Sequence, residues 1–393
     1  MFKTSCISLM ALAVAASAQE RNPHPYQGID WAKVHQVKTS SHVHITDQAK
    51  LDRFIAKGFT FFTLSNYYPS APYYPMSRMT LNYYRVHHEH PVMVNGVLTK
   101  GPFDWNEILK PWIAEVDAQY SKSYPFKEGG KAFTNIPDNI MEAPNAEHHS
   151  FTDCNAHITA PGSFYKSGTF DARNFFLTKS KGGYNYGTGL PWRKAVDNML
   201  AELQYPDGGG VVLNHPQWSS FKRDTMLEIL DHDPRLLGIE VFNHTSRTKV
   251  GDAINWSEDY WDYALGTGRQ CFGFFVHDWS STNGVNILIV PELNAHECLK
   301  AYRQGNWYGA VYGQNQLGFT LISFDGATLK ANTDKTAKFQ VVSKEGIIHE
   351  STTASLELPI AKADYAKHGF LRIKAFATDD SGEIIFSQPF MLK

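Results

Sequence analysis

Cysteine is scarce, with four in 393 residues. Cys6 lies in the N-terminal apolar stretch, and Cys154, Cys271 and Cys298 are scattered. They form neither a disulfide framework nor a CxxC metal pair. They read as small buried hydrophobes, with a single bridge left open. An excess of either charge is lacking too: 37 Lys and Arg face 39 Asp and Glu, for a formal net charge of -2. That balance lacks the basic excess a polyanion binder normally shows and argues against a nucleic-acid partner. Beyond the N-terminus no segment approaches the ~20 apolar residues of a membrane-spanning helix, so no membrane span is expected. The N-terminal run itself, Cys6 to Ala16, is too short to span. With Lys3 before it and the small residues Ser17 and Ala18 after it, residues 1–18 read as a signal peptide cleaved before Gln19, against the alternative of a buried N-terminal helix. A periplasmic or secreted protein is expected, and ATP-dependent chemistry is not expected there.

What is plentiful is histidine, at 17, and aromatic residues, at 13%. Hydrophobic residues make up 42%, enough for a sizeable core in one large domain or two. From residue 48 to 312, helix-like segments alternate with short apolar strands. "DQAKLDRFIAKG" precedes "FTFFTLSN", "PWRKAVDNMLAELQYPDGG" precedes "GVVLNHP", and "FKRDTMLEILDHDPRLLG" precedes "IEVFNH". "SEDYWDYALGTGRQ" then precedes "CFGFFVHD", and "NAHECLKAYRQGN" precedes "WYGAVYG". This order predicts a parallel sheet with helices outside it, its strands covered on both faces. Asn66, His215, Asn243, His244 and Asp278 fall just past the apolar runs. Carboxyl ends of strands are where loops converge in such folds, and a barrel is preferred over an open doubly wound sheet. Residues 67–146 interrupt the pattern with an insertion rich in Tyr, Pro and Lys, read as a cover over that face. From Leu317 on, apolar and polar residues alternate between turns at Asp325-Gly326, Lys344-Glu345-Gly346 and Asp380-Ser381-Gly382. Residues 317–393 therefore read as a small β-sandwich-like domain with a structural role.

The strongest local signal is "KTSSHVHIT". In a strand, His42 and His44 project from the same face, as a pair of imidazoles able to hold a divalent ion. An HxH alone is at least as often a surface pair. Asp47 follows in the same loop as a further oxygen donor. In "NAEHHSFTDCNAHITAPGS", Glu147 offers two oxygens that can bridge two ions. His157 follows ten residues on, and His148 and His149 lie beside the glutamate. A solvated polar loop is an equal alternative there. His215 ends an apolar strand against Pro216. "GIEVFNH" offers Glu240, Asn243 and His244; Glu240 falls inside the strand, where hydrogen-bonding a ligand histidine is the alternative to binding metal itself. His277 and Asp278 end "FGFFVHD", and a buried Asp after such a run is costly unless paired or coordinated. The expected metal ligands are His42, His44, Asp47, Glu147, His157, His215 and Asp278. Asp278 and His277 are the expected catalytic residues that move protons.

Together these segments resemble the PHP (polymerase and histidinol phosphatase) family of metallohydrolases and related secreted-type enzymes with a β-sandwich tail. His42 and His44 match its HxH motif, Glu147 and His157 the Glu and His that follow, His215-Pro216 its "HP" strand end, and Asp278 its closing Asp. "IEVFN" is similar to the corresponding strand. The resemblance spans roughly residues 38–313 and, more loosely, the tail. It implies an α/β fold, a distorted (β/α)7 barrel over residues 19–313, holding one to three divalent ions (Zn, Mn or Fe) and usually hydrolysing phosphoesters. The sequence departs from it twice. Ser65-Asn66 stands where the family has Asp-His, and Asp278-Trp279-Ser280 lacks the His of Asp-x-His. His277, His149, His87, His88 and His90 are the candidates to stand in.

The function expected is that of a secreted metal-dependent phosphoesterase using metal-activated water. Two alternatives stand beside it: a metallohydrolase of a carboxyl ester, carbamate or glycan-derived bond, and a non-catalytic ligand-binding protein on a degenerate barrel. The partner is a small-molecule or carbohydrate-derived substrate. Tyr67, Tyr68, Tyr73, Tyr74, Tyr83, Tyr84 and Trp105 of the insertion serve either to stack on it or to pack as a lid.

Overall fold

The computed structural model describes residues 21–65, 74–78, 93–94, 97–98, 131–149, 151–165, 190–244, 253–279, 284–312 and 317–392. The signal-peptide reading, Asn66, Ser280, His87, His88, His90 and the insertion aromatics other than Tyr74 lie outside them. The strands in chain order are β1 (His35–Thr39), β2 (Phe61–Phe62), β3 (Met93–Val94), β4 (Val97–Leu98), β5 (Met141–Glu142), β6 (Glu147–His148), β7 (Ile158–Thr159), β8 (Val211–Leu213) and β9 (Leu236–Asn243). They continue with β10 (Phe272–Val276), β11 (Gly284–Val290), β12 (Trp307–Val311), β13 (Phe319–Phe324), β14 (Thr328–Ser343), β15 (Gly346–Pro359), β16 (Phe370–Ala377), β17 (Ile384–Phe386) and β18 (Phe390–Met391). The longer helices are α1 (Gln48–Ala56), α2 (Trp192–Ala201), α3 (Arg223–His232), α4 (Glu258–Gly266) and α5 (Ala295–Gln304).

One sheet runs β10-β9-β8-β7-β6. Its β8, β9 and β10 are parallel, whereas β7 is antiparallel to both neighbours. All eight residues of β9 are buried, as its uninterrupted apolar run requires. Gly238 is needed there, because a Cβ would lie 1.9 Å from the Phe272 carbonyl oxygen across the β9–β10 pairing. Backbone bonds carry the pairing onward from this sheet. Asp278 donates to His42 O, Ser65 to Val43 O and Glu147 to Ser65 O, at 2.9, 3.0 and 2.9 Å. The parallel pair β2–β5 lies within the same run of contacts.

Helix α1 forms because Asp47 accepts from Lys50 N at 2.8 Å, capping a segment that buries Leu51 and Phe54 one turn apart. These pack with Val43, Ile45, Phe59, Phe62 and Leu64 in a small core directly under the histidine pair. α5 is capped by Asn294, which accepts from Glu297 N, and ends at Gly305 with φ of 76°.

A second sheet runs β1-β11-β12-β17-β16-β14-β13, with β15 paired to β14 and β18 to β16. This corrects one part of the sequence reading. β12 does not add a parallel strand to the first sheet; it pairs antiparallel with β11 and β17. The C-terminal β-rich region thus continues from β12 through β17. The two faces of the shared strands serve different cores. Leu288, Val290, Trp307 and Val311 face the helices and the first sheet, while Ile287, Ile289, Tyr308 and Ala310 face the C-terminal strands. The molecule is therefore a mixed α/β structure with a large antiparallel sheet against a smaller, partly parallel one.

Candidate metal centre

The stretch after β1 is held on three sides. Val43 N donates to Ser65 Oγ at 2.8 Å, His44 N to Asp278 O at 3.1 Å, and Ser40 Oγ to His42 O at 2.9 Å. Alternation along this extended segment turns Val43 into the core under α1 and puts the two imidazoles on the other side, 5.2 Å apart and edge to face. Ser65, which stands where the resemblance would place an acid, is thus a backbone anchor for the HxH segment. Glu147 arrives on β6, His157 just before β7, His215 just after β8 and Asp278 just after β10. His215 and Asp278 both leave their strands with positive φ, 27° and 50°. Such conformations are costly for residues with side chains and persist where the surroundings hold them.

Four side chains converge. His42 Nε2 lies 3.2 Å from His44 Nε2, 3.3 Å from Glu147 Oε2 and 3.5 Å from Asp278 Oδ1. His44 Nε2 lies 3.1 Å from Glu147 Oε2 and 3.3 Å from Asp278 Oδ1. A tetrahedron with metal–ligand bonds of about 2.05 Å has edges of about 3.3 Å, so the separations of the two histidine nitrogens from each other and from the carboxylate oxygens are those a four-coordinate ion needs. The other oxygen of Glu147 faces a second group, with His157 Nδ1 at 2.8 Å and His215 Nε2 at 3.6 Å. Glu147 therefore sits between two clusters, one oxygen to each. Imidazole and carboxylate donors without thiolate suit Zn, Mn or Fe.

Charge balance points the same way. Burial alone would push Glu147 and Asp278 up. The His42 charge and the facing imidazoles outweigh it and hold Glu147 well below the carboxylate range and Asp278 at about 2. Burial also acts to lower His42 and His215. For His42 the carboxylates of Glu240, Asp278 and Glu147 win, and for His215 the hydrogen bond to Glu147 and the Glu240 charge win, so both are raised. The buried carboxylates among these imidazoles favour positive charge, and protons compete with a cation for the same lone pairs.

The structure takes two of the expected residues out of the centre. Asp47 caps α1, its Oδ1 accepting from Lys50 N, and it is in none of the groups of donor atoms that come together here. His277 points away from Asp278 into the core under α1, edge-on to Phe54 and Phe59 at 5.0 and 5.3 Å. Burial and the nearby lysines hold it well below the usual imidazole range, so it is neutral and faces apolar rings. It is in none of the groups of donor atoms that come together here. His148 is buried beside Tyr165 and pulled down to about 3 by burial. His149 stacks on His157 at 4.7 Å.

Several residues around the centre were not singled out from the sequence. Trp279 stacks flat on His44 at 4.2 Å, and Trp218 stands edge-on to His215 at 4.9 Å. Ser219 Oγ lies 3.1 Å from His215 Nδ1, leaving Nε2 for Glu147. Asn145 donates to Ser41 O and Thr63 O and accepts from Ala160 N, tying three segments behind the histidines. Lys50 Nζ donates to Trp279 O at 3.3 Å and lies 5.4 Å over that ring. Burial pulls Lys50 down to about 8, although the Asp278 charge favours its protonated form. The "HPQWSS" and "HDW" strings carried the tryptophans in view, placed just past strand-end ligands.

No family model matches the sequence, and no curated protein is recognisably similar to it. Among solved structures, a two-domain protein from Bacteroides vulgatus, described as containing a predicted PHP-like metal-dependent phosphoesterase, is similar at 13% identity. The match covers 87% of this chain and 90% of that one, with a TM-score of 0.39. No helix among the described residues is long and apolar enough to cross a membrane.

Proposed function

We propose that the protein is a metal-dependent hydrolase of PHP type, acting on a phosphoester of a small or carbohydrate-derived molecule. The observation that carries this is the convergence of His42, His44, Glu147 and Asp278 at donor separations of 3.1–3.5 Å, with Glu147 shared by a second group. In this reading β2 and β5–β10 belong to a distorted (β/α) barrel of PHP type, while β1, β11 and β12 join it to the sheet of the C-terminal β-rich region.

His42, His44, Glu147 and Asp278 would hold one ion, and Glu147, His157 and His215 another. Ions held there would supply Lewis-acid stabilisation of a phosphoryl oxygen and an attacking water acidic enough to ionise near neutral pH. The chain's own groups do the rest. Glu147 stays ionised and keeps the two clusters in register. Asp278, with Oδ1 turned toward His42 and His44, takes the proton from the attacking water at its other oxygen. Trp218 and Trp279 flank the imidazoles and limit water. Lys50 puts a cation beside Asp278, which favours an anionic phosphoester over a neutral carboxyl ester. Residues 1–18 would direct the protein out of the cytoplasm, leaving a mature chain that starts at Gln19.

The test is metal content of protein purified without a histidine tag, with turnover of p-nitrophenyl phosphate, a phosphodiester analogue and a carboxyl ester. Bound divalent metal with phosphate release is expected. Ester cleavage alone would shift the substrate class, and a metal-free, inactive protein would sink the proposal. His42→Ala and His215→Ala should each lose metal and activity while the circular dichroism spectrum is kept.

A further inference from the structure

Glu240 lies fully buried in the middle of β9. Both of its oxygens are committed. Oε1 is 2.7 Å from His42 Nδ1. Oε2 accepts from the His215 backbone N–H at 2.8 Å and from Asn243 Nδ2 at 2.7 Å. His42, His215 and Glu240 also lie close enough together to hold a cation. These hydrogen bonds would have to break for Glu240 to ligate one, and His42 Nδ1 is engaged on its proton-bearing side.

We infer that Glu240 is a positioning residue for both halves of the centre, an inference that rests on the metal reading above. Through Oε1 it keeps the His42 proton on Nδ1, which leaves the Nε2 lone pair aimed at Glu147 and Asp278. An imidazole offers one nitrogen to a metal according to the hydrogen bond made by the other. Through Oε2 it pins the amide of His215, whose φ of 27° turns the chain as it leaves β8. That turn aims His215 Nε2 at the far oxygen of Glu147. One carboxylate thus sets a ring orientation in the first cluster and a backbone conformation in the second. Gly238, two residues earlier, lets β9 approach β10 closely enough to bring this side chain under the site.

Glu240→Gln is the informative variant. It keeps the shape but sets an NH2 group against at least one of the three donors. The zinc dissociation constant, measured by chelator competition, is expected to rise ~10–100-fold, with folding retained by circular dichroism. In cadmium-113-loaded, nitrogen-15-labelled wild type, the ion should couple to His42 Nε2, with a slowly exchanging Nδ1–H. In the variant that proton should exchange faster. Unchanged zinc affinity in Glu240→Gln would overturn this inference alone, and a wild type that binds no ion would overturn the metal reading with it. Should the variant fail to fold, the wild-type spectrum decides, since coupling through His42 Nδ1 is incompatible with the proposal.

Discussion

Adjacent residues His277 and Asp278 face opposite sides of one strand end, and the difference in their surroundings is large. Asp278 meets two imidazoles, while the His277 ring meets Phe54 and Phe59 and its Nδ1 has no hydrogen-bond partner among the described residues. A buried polar atom left unsatisfied costs about 1–3 kcal/mol. His277→Leu is therefore expected to keep full metal content and to unfold at equal or higher temperature, gaining on the order of 1 kcal/mol. Loss of metal in that variant would return His277 to the centre. Asp278→Asn should instead lower metal content while the fold survives. The sequence showed that the "HD" pair ends a strand, and both residues were expected at the site. Neighbours on a strand end turn to opposite sides, and which of the two faces the imidazoles depends on the core under α1. Asp47 was expected as a ligand, but an Asp just before an amphipathic run serves as readily as a helix cap, and here it caps α1. His42 and His44 were legible because a spacing of two in a strand fixes a common face.

Between elements, a buried arginine does what no apolar contact can. Arg372 of β16, with a side chain only 1% exposed, reaches α4. It makes two bonds to Asp262, at 2.9 and 2.8 Å, and one to Glu258 at 2.6 Å, with the Trp261 ring 4.9 Å away. Burial would raise Glu258, but the Arg372 and Lys374 charges outweigh it and hold the carboxyl below its ordinary value of 4.5. A carboxylate depressed on folding contributes stability above its unfolded pKa, and that contribution is lost as pH falls below it. The wild type should therefore lose unfolding free energy as pH drops from 4.5, and Glu258→Gln should show a shallower loss in urea titrations over that range. Arg372→Ala, which leaves Glu258 to Lys374 alone and takes the guanidinium from Asp262, is expected to cost about 1.5–3 kcal/mol, read from urea titrations. β9 and β10 were readable as covered strands from unbroken apolar runs. β12 has the same signature for another reason. It separates two cores, so "WYGAV" is buried on both faces although its neighbours run antiparallel. Composition reports burial and is silent on strand direction.

Over the whole molecule the two sheets do not part at the change in sequence pattern near residue 313. Phe370, Phe386 and Met391 belong to the same core as β9 and β10, and β17 hydrogen-bonds β12. A chain ending at residue 316 is therefore expected to be insoluble or to lack cooperative unfolding, as judged by soluble yield and thermal melts. A soluble fragment with a sharp melt would show instead that the tail is dispensable. The chain's order also bears on assembly. β1 belongs to the antiparallel sheet through β11, and the residues just past it carry the histidine pair. His42 is separated from Glu240 by 198 residues. A polypeptide made from its amino end exposes both imidazoles long before the acids that surround them exist. Contacts this distant in sequence form late, since their loops are costly to close. An ion held as proposed would find its full set of donors only once strands from both ends of residues 42–278 are in place.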